Sequence, residues 1–354
     1  MFLTILLAFV SLIILVSIHE LGHFLTAKKF GVKVEEFGFG YPPRLFGKKI
    51  GETLYSINLF PFGAFVRIPE DSSFSTKPLW QRILIIFNGA FSFWIMATII
   101  FSVVFALGAP TMIEDSEMNV PDTKVLITSV SANSPASMIG LKAGDIIISL
   151  ISETAELEGN KVKEIQDFII ENRGKEITLI VKRGDRIFNA VATPRISPPA
   201  GEGSLGISLA RVGLKTQPVY LSLFEGVKAT FNMTRLAIDA YINAVISLFK
   251  REPTGIQLSG PIGIVGVLSQ GIRMGTSYFL QMIGLLSINV AIINLLPIPA
   301  FDGGKLMFLI IEGVRRKPVP REIEEKITTV FFVLLIILMA FVTIKDIKNF
   351  KGFF

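Results

Sequence analysis

The sequence predicts a polytopic α-helical membrane protein of about four transmembrane helices, with a membrane re-entrant β-hairpin and one inserted extracytoplasmic α/β domain. Three observations carry this. Of 354 residues 51% are hydrophobic and only 18% are charged, at a mean hydropathy of +0.58, a balance too apolar for a soluble globule. Four apolar runs, at about residues 2–27, 83–109, 278–297 and 327–344, each approach the roughly 20 residues that a bilayer helix needs. One long polar stretch, residues 110–276, lies between the second run and the third.

The first run does not read as a cleavable signal: it lacks a basic leading region and a small-x-small site, and Lys28 and Lys29 follow it. By the positive-inside rule this charge places the N-terminus outside and the loop over 28–82 in the cytoplasm. Arg315, Arg316, Lys317 and Arg321 agree, whereas Lys345, Lys348 and Lys351 in the tail do not; the first helix and the two loops outweigh the short tail. Within the loop, residues 55–59 and 62–68 have strand composition with Pro61 and Gly63 between them. They read as a hairpin, within 50–69, that dips into the protein or the bilayer, where non-helical backbone survives only if protein or a water-filled cavity satisfies it. Residues 1–109 and 277–354 read as the two halves of one membrane-embedded unit.

Residues 110–215 read as the inserted domain. Residues 125–130 alternate as a strand, Ser134-Pro135-Ala136 opens a short helix, and Gly140 to Asp145 turns into a strand over 146–150. A helix over 163–172 and a strand over 176–182 follow, then a hairpin turn at Arg183-Gly184-Asp185, a Pro/Gly-rich break over 195–203 and a last strand near 205–209. The connector, 216–276, carries an amphipathic helix over 219–250 that suits either a membrane surface or the outside of the soluble domain.

The net charge of +6 is not gathered into a basic patch interleaved with aromatics, which argues against nucleic acid. There is no cysteine, so disulfides, thiolate chemistry and Cys-type zinc sites are excluded and a metal must be held by His and carboxylate. His19-Glu20-Leu21-Gly22-His23 is an H-E-x-x-H pattern containing both histidines of the chain. On a helix the two rings stand about 40° apart and about 6 Å along the axis, so both reach one metal ion, with Glu20 placed as general base. Ionisable groups within a membrane helix are costly and mark function. His19 lies about 27 Å down a core roughly 30 Å thick, toward the cytoplasmic side. Catalytic zinc takes three protein ligands and leaves one position open. The run Asn294 to Gly304, ending the third span, returns to the same membrane face, and Asp302, after Pro297 and Pro299, is the carboxylate it presents. A turn or capping aspartate is the other reading.

These residues resemble the site-2 protease family of intramembrane zinc metalloproteases, in its RseP-type (regulator of sigma-E protease-like) bacterial branch with one PDZ domain. His19 to Phe24 with Ala27 and Gly31 is similar to the first family motif, and Asn294 to Gly303 to the second, in which the aspartate is the third ligand. Gly38 to Pro43, Pro61 to Val66 and Gly260-Pro261-Ile262-Gly263 are also similar. The chain departs at Phe301, at Gly63-Ala64-Phe65 and at Asn88 to Phe93. The resemblance implies one Zn²⁺ per chain and cleavage of transmembrane segments of single-span proteins, such as anti-sigma factors pre-trimmed by an upstream site-1 protease, or remnant signal peptides. It implies residence in the bacterial inner membrane. Gly63, Ala64 and Phe65 would pair with unwound substrate, and Asn289 and Asn294 would handle it, although Asn289 reads equally as a bond to a neighbouring helix. The polar domain resembles a circularly permuted PDZ domain, with Gly203, Leu205, Gly206 and Ile207 as its carboxylate loop or as an ordinary glycine turn, and would bind a C-terminus or filter substrates by size. A metal transporter and a non-catalytic PDZ adaptor are the competing functions. Spans two and four carry too few polar residues for the first, and the intact motif speaks against the second.

Overall fold

The computed structural model describes residues 2–69, 73–117, 120, 122–184, 186–199, 201–252 and 259–348. They fall into two units, Met1–Val103 with Val219–Ile272 and Phe279–Phe354, and Val104–Pro218 with Arg273–Tyr278. Four described helices are long and apolar enough to cross a membrane, at Ile5–Lys29, Leu79–Leu107, Thr276–Leu295 and Arg321–Ile347, close to the four expected runs.

The first of these belongs to α1 (Phe2–Lys29), which has no charged residue before Glu20 and closes on Lys28 and Lys29, cations suited to the negative end of a helix. Its end is made by Gly31 at φ +63°: the Gly31 N–H bonds the Lys28 carbonyl at 3.0 Å and the Val32 N–H the Ala27 carbonyl at 2.9 Å, a left-handed cap that glycine adopts without strain. Next come β1 (Glu36–Ile50) and β2 (Thr53–Arg67), an antiparallel pair. Here the structure corrects the expected hairpin. Residues 55–59 and 62–68 do not pair with each other; residues 36–39 lie between them, so that Phe37 is matched to both Tyr55 and Val66. The turn is at residues 51–52 rather than at Pro61 and Gly63. Gly38, Gly40, Pro42 and Pro43 conceal β1 from a propensity reading, yet Gly38 is where the Phe65 ring lies against the backbone. α2 (Leu79–Leu107) follows and packs tightly on α1. A Cβ on Gly22 would come within 2.5 Å of the Asn88 carbonyl oxygen, and the Asn88 amide donates to Thr26 Oγ1 at 2.5 Å, as small residues allow between membrane helices.

The second unit is a sheet with two helices: β3 (Ala109–Met112), β4 (Lys124–Val130), α3 (Pro135–Met138), β5 (Ile146–Ile151), β6 (Glu156–Glu158), α4 (Val162–Glu171), β7 (Ile177–Arg183), β8 (Arg186–Ala192) and β9 (Ile207–Lys215). Its order is β3-β9-β4-β5-β7-β8, with β6 on β5, so the last strand lies between the first two. The core is made by alternate strand residues, among them Val125, Ile127, Leu150, Leu179 and Val181, with Ile165, Phe168 and Ile169 of α4. Ser134 caps α3, accepting from the Ser137 N–H at 3.1 Å. The predicted turn over 140–145 is held by buried Asp145, which accepts from Arg183 Nε at 2.6 Å and Nη2 at 2.7 Å and from the Lys142 N–H at 2.9 Å. That ion pair holds the Arg183 guanidinium above its ordinary pKa. Of the predicted turn Arg183-Gly184-Asp185, Asp185 lies outside the described residues.

After the sheet come α5 (Val219–Lys250), α6 (Pro261–Met274), α7 (Thr276–Leu295), α8 (Asp302–Arg315) and α9 (Arg321–Lys348), all in the first unit but for Arg273–Tyr278 where α6 meets α7. The expected amphipathic helix is α5, and its direction is set by α2. Trp94 Nε1 donates to Thr234 Oγ1 at 3.0 Å, Thr98 Oγ1 donates to Thr230 Oγ1 at 3.1 Å, and Gly226 lies against Ser102. Positions fall by four along α2 as they rise by four along α5, so the two run antiparallel side by side. The small polar face is a helix-packing seam, while Phe224, Val227, Phe231 and Ile242 are exposed. α7 joins through the Ser287 hydroxyl, which donates to the Phe93 carbonyl at 2.7 Å. Buried Asp346 of α9 accepts the N–H groups of Gly260 and Gly263, each at 2.8 Å, at the start of α6. α8 was not among the elements expected from the sequence.

Candidate active site

The second and third turns from the end of α1 carry His23 and, one turn before it, His19 and Glu20. His23 is held first by its Nδ1–H, which donates to the Ile85 carbonyl of α2 at 2.9 Å; this leaves Nε2 with its lone pair facing inward. Opposite the ring stands Gly89, where any Cβ would collide with His23. The His19 ring stacks on Phe93 with centroids 4.9 Å apart and meets His23 edge-on at 4.7 Å. Two rings four residues apart are thus turned toward one point by three residues of α2.

The third group arrives from α7. Pro297 and Pro299 end that helix, the chain tightens through the Ile298 N–H to the Leu296 carbonyl at 2.7 Å and the Phe301 N–H to the Ile298 carbonyl at 2.9 Å, and α8 starts at Asp302. Gly303 and Gly304 are needed for this return, since a side chain there would strike the carbonyls of Leu296 and Ile298. Asp302 Oδ2 lies 3.1 Å from His23 Nε2 and 3.3 Å from His19 Nε2, and the two nitrogens are 3.3 Å apart. All three side chains are 12–14% exposed. They are the group of His and carboxylate ligand atoms, among the described residues, that can hold a metal ion.

Beside them Glu20 Oε2 accepts the Val66 N–H of β2 at 3.1 Å. The strand edge is therefore turned toward the helix that bears the motif. A cavity of about 860 Å³ opens here, lined by His19, Glu20 and His23 of α1, Phe65 and Val66 of β2, Arg82 of α2, and Asp302, Lys305 and Glu312 of α8.

The chain matches the profile of Peptidase family M50 over residues 7–338. It belongs to that family. A Clostridium perfringens protein named as a zinc metalloprotease is 36% identical over 353 residues, covering 97% of each chain. The regulator of sigma-W protease of Bacillus subtilis is 26% identical, over 95% of this chain and 96% of its own. A solved PDZ domain of an SdrC-like protein from Listeria monocytogenes is 26% identical over 24% of this chain and 85% of its own, with a TM-score of 0.21. The protein is thus an M50 (site-2) protease: an integral membrane zinc metalloendopeptidase that cleaves within the membrane.

The donor set fits zinc. Tetrahedral zinc with ligands at about 2.0–2.1 Å spaces them roughly 3.3–3.4 Å apart, and the three separations here are 3.1, 3.3 and 3.3 Å. Two imidazoles and one carboxylate are also the chemistry of a catalytic rather than a structural site.

The other expected residues divide. Gly63, at φ +127°, is pressed on Val16 of α1, Ala64 is buried, and Phe65 lines the cavity. Asn289 is engaged twice, accepting from the Tyr241 hydroxyl of α5 at 2.7 Å and donating to the Leu285 carbonyl at 2.8 Å, whereas Asn294 is half-buried and makes no side-chain hydrogen bond among the described residues. In the second unit, Leu205 is buried and its carbonyl accepts the Ala136 N–H at 3.1 Å; the Gly206 N–H turns back to the Gly203 carbonyl at 2.9 Å, and Ile207 is paired to Val130. Sequence reasoning missed Ile85, Gly89 and the cavity wall of Arg82, Lys305 and Glu312. Gly89 had a signal in its place beside Asn88 in the second span. The wall had none until α8 was known to be a helix.

Proposed function

We propose that His19, His23 and Asp302 hold a single zinc ion per chain and that Glu20 is the general base for hydrolysis of peptide bonds in transmembrane segments of single-span proteins. The observation that carries this is the convergence of three ligand atoms within 3.3 Å of one another beside Glu20 and a strand edge. When bound, zinc supplies Lewis-acid polarisation of water and carbonyl. Glu20 takes the proton of the attacking water and passes it to the leaving amide nitrogen. A peptide bond in an intact helix is shielded, so the substrate must open into an extended form. The β2 edge at Gly63, Ala64, Phe65 and Val66 supplies backbone partners for such a segment, and the Val66 N–H that now bonds Glu20 is the one nearest the chemistry. Of the two asparagines, Asn294 is available to substrate, and Asn289 becomes so only if Tyr241 releases it.

The second unit is read as a permuted PDZ-like domain, supported by its topology: β9 is paired over residues 207–212 with β4 and over 212–215 with β3, which leaves one edge of residues 207–210 outside these pairings. It would select substrates by their C-terminus or by size. Bacterial relatives and the basic loop over 28–82 support an inner-membrane protein with the N-terminus outside and the active site toward the cytoplasm. The Bacillus subtilis relative is named as a regulator of sigma-W protease, which supports a substrate in sigma-factor control; an anti-sigma factor already trimmed by another protease is the substrate proposed, and remnant signal peptides fit the same chemistry.

The test is a pair of variants assayed in liposomes on a single-span substrate. Glu20→Gln should retain zinc and lose cleavage by about 10²-fold or more, while Asp302→Ala should lose zinc. Full cleavage by the first or full zinc occupancy in the second overturns the corresponding role.

A further inference from the structure

The cavity is built with one wall from a single face of α8. Asp302, Lys305, Phe308, Leu309 and Glu312 all line it, at intervals of three, three, one and three, which is one stripe of an α-helix. Lys305 thus stands one turn beyond Asp302, about 4.5 Å along the axis, on the side that faces the chemistry. Its charge acts on His19, Glu20 and Asp302 together. Of the other charges in this wall, Arg82 is committed to Glu312: its Nη1 donates to Oε2 at 3.2 Å and its Nη2 to Oε1. Lys305 is exposed to the cavity and makes no hydrogen bond or ion pair among the described residues. An uncommitted ammonium in a catalytic cavity calls for an anion.

The reaction makes one. Water adds to the carbonyl carbon, the carbonyl oxygen gains the charge of the broken π bond, the C–N bond then breaks, and the nitrogen leaves with the proton that Glu20 collected. The second proton of the water follows to the amine, which leaves as an ammonium, so the remaining fragment ends in a new carboxylate, formed beside two other carboxylates, Glu20 and Asp302, in a site of low dielectric. Negative charge placed there is costly unless a cation is already in position.

We infer that Lys305 is a further catalytic residue, an oxyanion and carboxylate subsite whose ammonium contacts the carbonyl-derived oxygen in the transition state and the C-terminal carboxylate of the product that carries it. This rests on the reading of His19, Glu20, His23 and Asp302 as the catalytic centre, and the two can be told apart.

The experiment uses the full zinc-loaded chain in detergent. In the Glu20→Gln background, which cannot turn over, binding of an acetylated apolar peptide with a free C-terminal carboxylate is compared with its C-terminal amide by fluorescence polarisation. The acid should bind about tenfold or more tighter than the amide. Lys305→Gln should lower that preference by about tenfold and Lys305→Arg should keep most of it. With Glu20 intact and a leucine-rich single-span peptide interrupted by Gly-Pro as substrate, Lys305→Gln should lower kcat by about 10²-fold at nearly unchanged KM, with zinc content unaltered and Arg restoring much of the rate. A Lys305→Gln enzyme that keeps either the acid preference or the kcat overturns the inference. Cleavage surviving Glu20→Gln would instead overturn the catalytic centre on which it rests.

Discussion

His23 is positioned by contacts that lie 62 to 279 residues away in sequence: the Ile85 carbonyl on Nδ1, Gly89 beneath the ring, and Asp302 beside Nε2. At the residue scale the ligand types were legible, because a cysteine-free chain with two histidines leaves few ways to bind zinc. The supports were not, since a carbonyl that fixes a tautomer and a glycine that makes room carry no signature of their own. Gly89→Ala tests the support. Its Cβ would occupy the ring's place, so the ring must rotate away from Asp302 and zinc affinity should fall by about 10–100-fold, with helix content by circular dichroism unchanged. Zinc stoichiometry against a chelator series checks this, and wild-type affinity would show that the ring has room to spare.

At the scale of elements, the two-stranded sheet beside α1 is pinned by one buried carboxylate. Glu36 accepts from Ser56 Oγ at 2.6 Å and from Arg44 Nη2 at 2.9 Å, with Arg67 Nη1 at 3.8 Å. Burial alone would push its pKa up, but these partners outweigh burial and hold it below the ordinary glutamate value. A depressed folded-state pKa contributes stability that is present above the unfolded-state value and is lost as pH falls through the folded one. Amide exchange in residues 36–67, corrected for intrinsic rates, should therefore lose protection on acidification below the ordinary glutamate range, and Glu36→Gln should be less protected at neutral pH and flat across that range. A Glu36→Gln profile that still follows acid would move the role to another group. The apolar helices were legible by length and hydropathy, which need no partner to be read. β1 and α8 were not, because glycine and proline register as breakers unless the backbone that approaches them is known.

For the whole molecule, the segment 104–218 closes on itself: the Gln217 N–H bonds the Phe105 carbonyl at 3.0 Å, and β3 pairs with the end of β9, so the two ends of that segment are neighbours around a core of their own. Excised as residues 104–218, it should unfold cooperatively in urea with a stability of about 5–15 kcal/mol; a broad non-cooperative loss of circular dichroism would mean that its core depends on the rest of the chain. By itself the sequence determined what composition and local spacing can carry: a membrane protein, four spans, a long polar insert and a motif with two histidines four apart, with Asp302 as the carboxylate expected to join them. Only the tertiary structure decided how β1 enters between the halves of β2, that α5 lies along α2, that Tyr241 engages Asn289, and that Lys305 shares a cavity with His19, His23 and Asp302. The reason is physical. Hydropathy and helical periodicity are properties of neighbours in sequence, whereas a cavity, a collision and a hydrogen bond between helices belong to residues that only folding brings together.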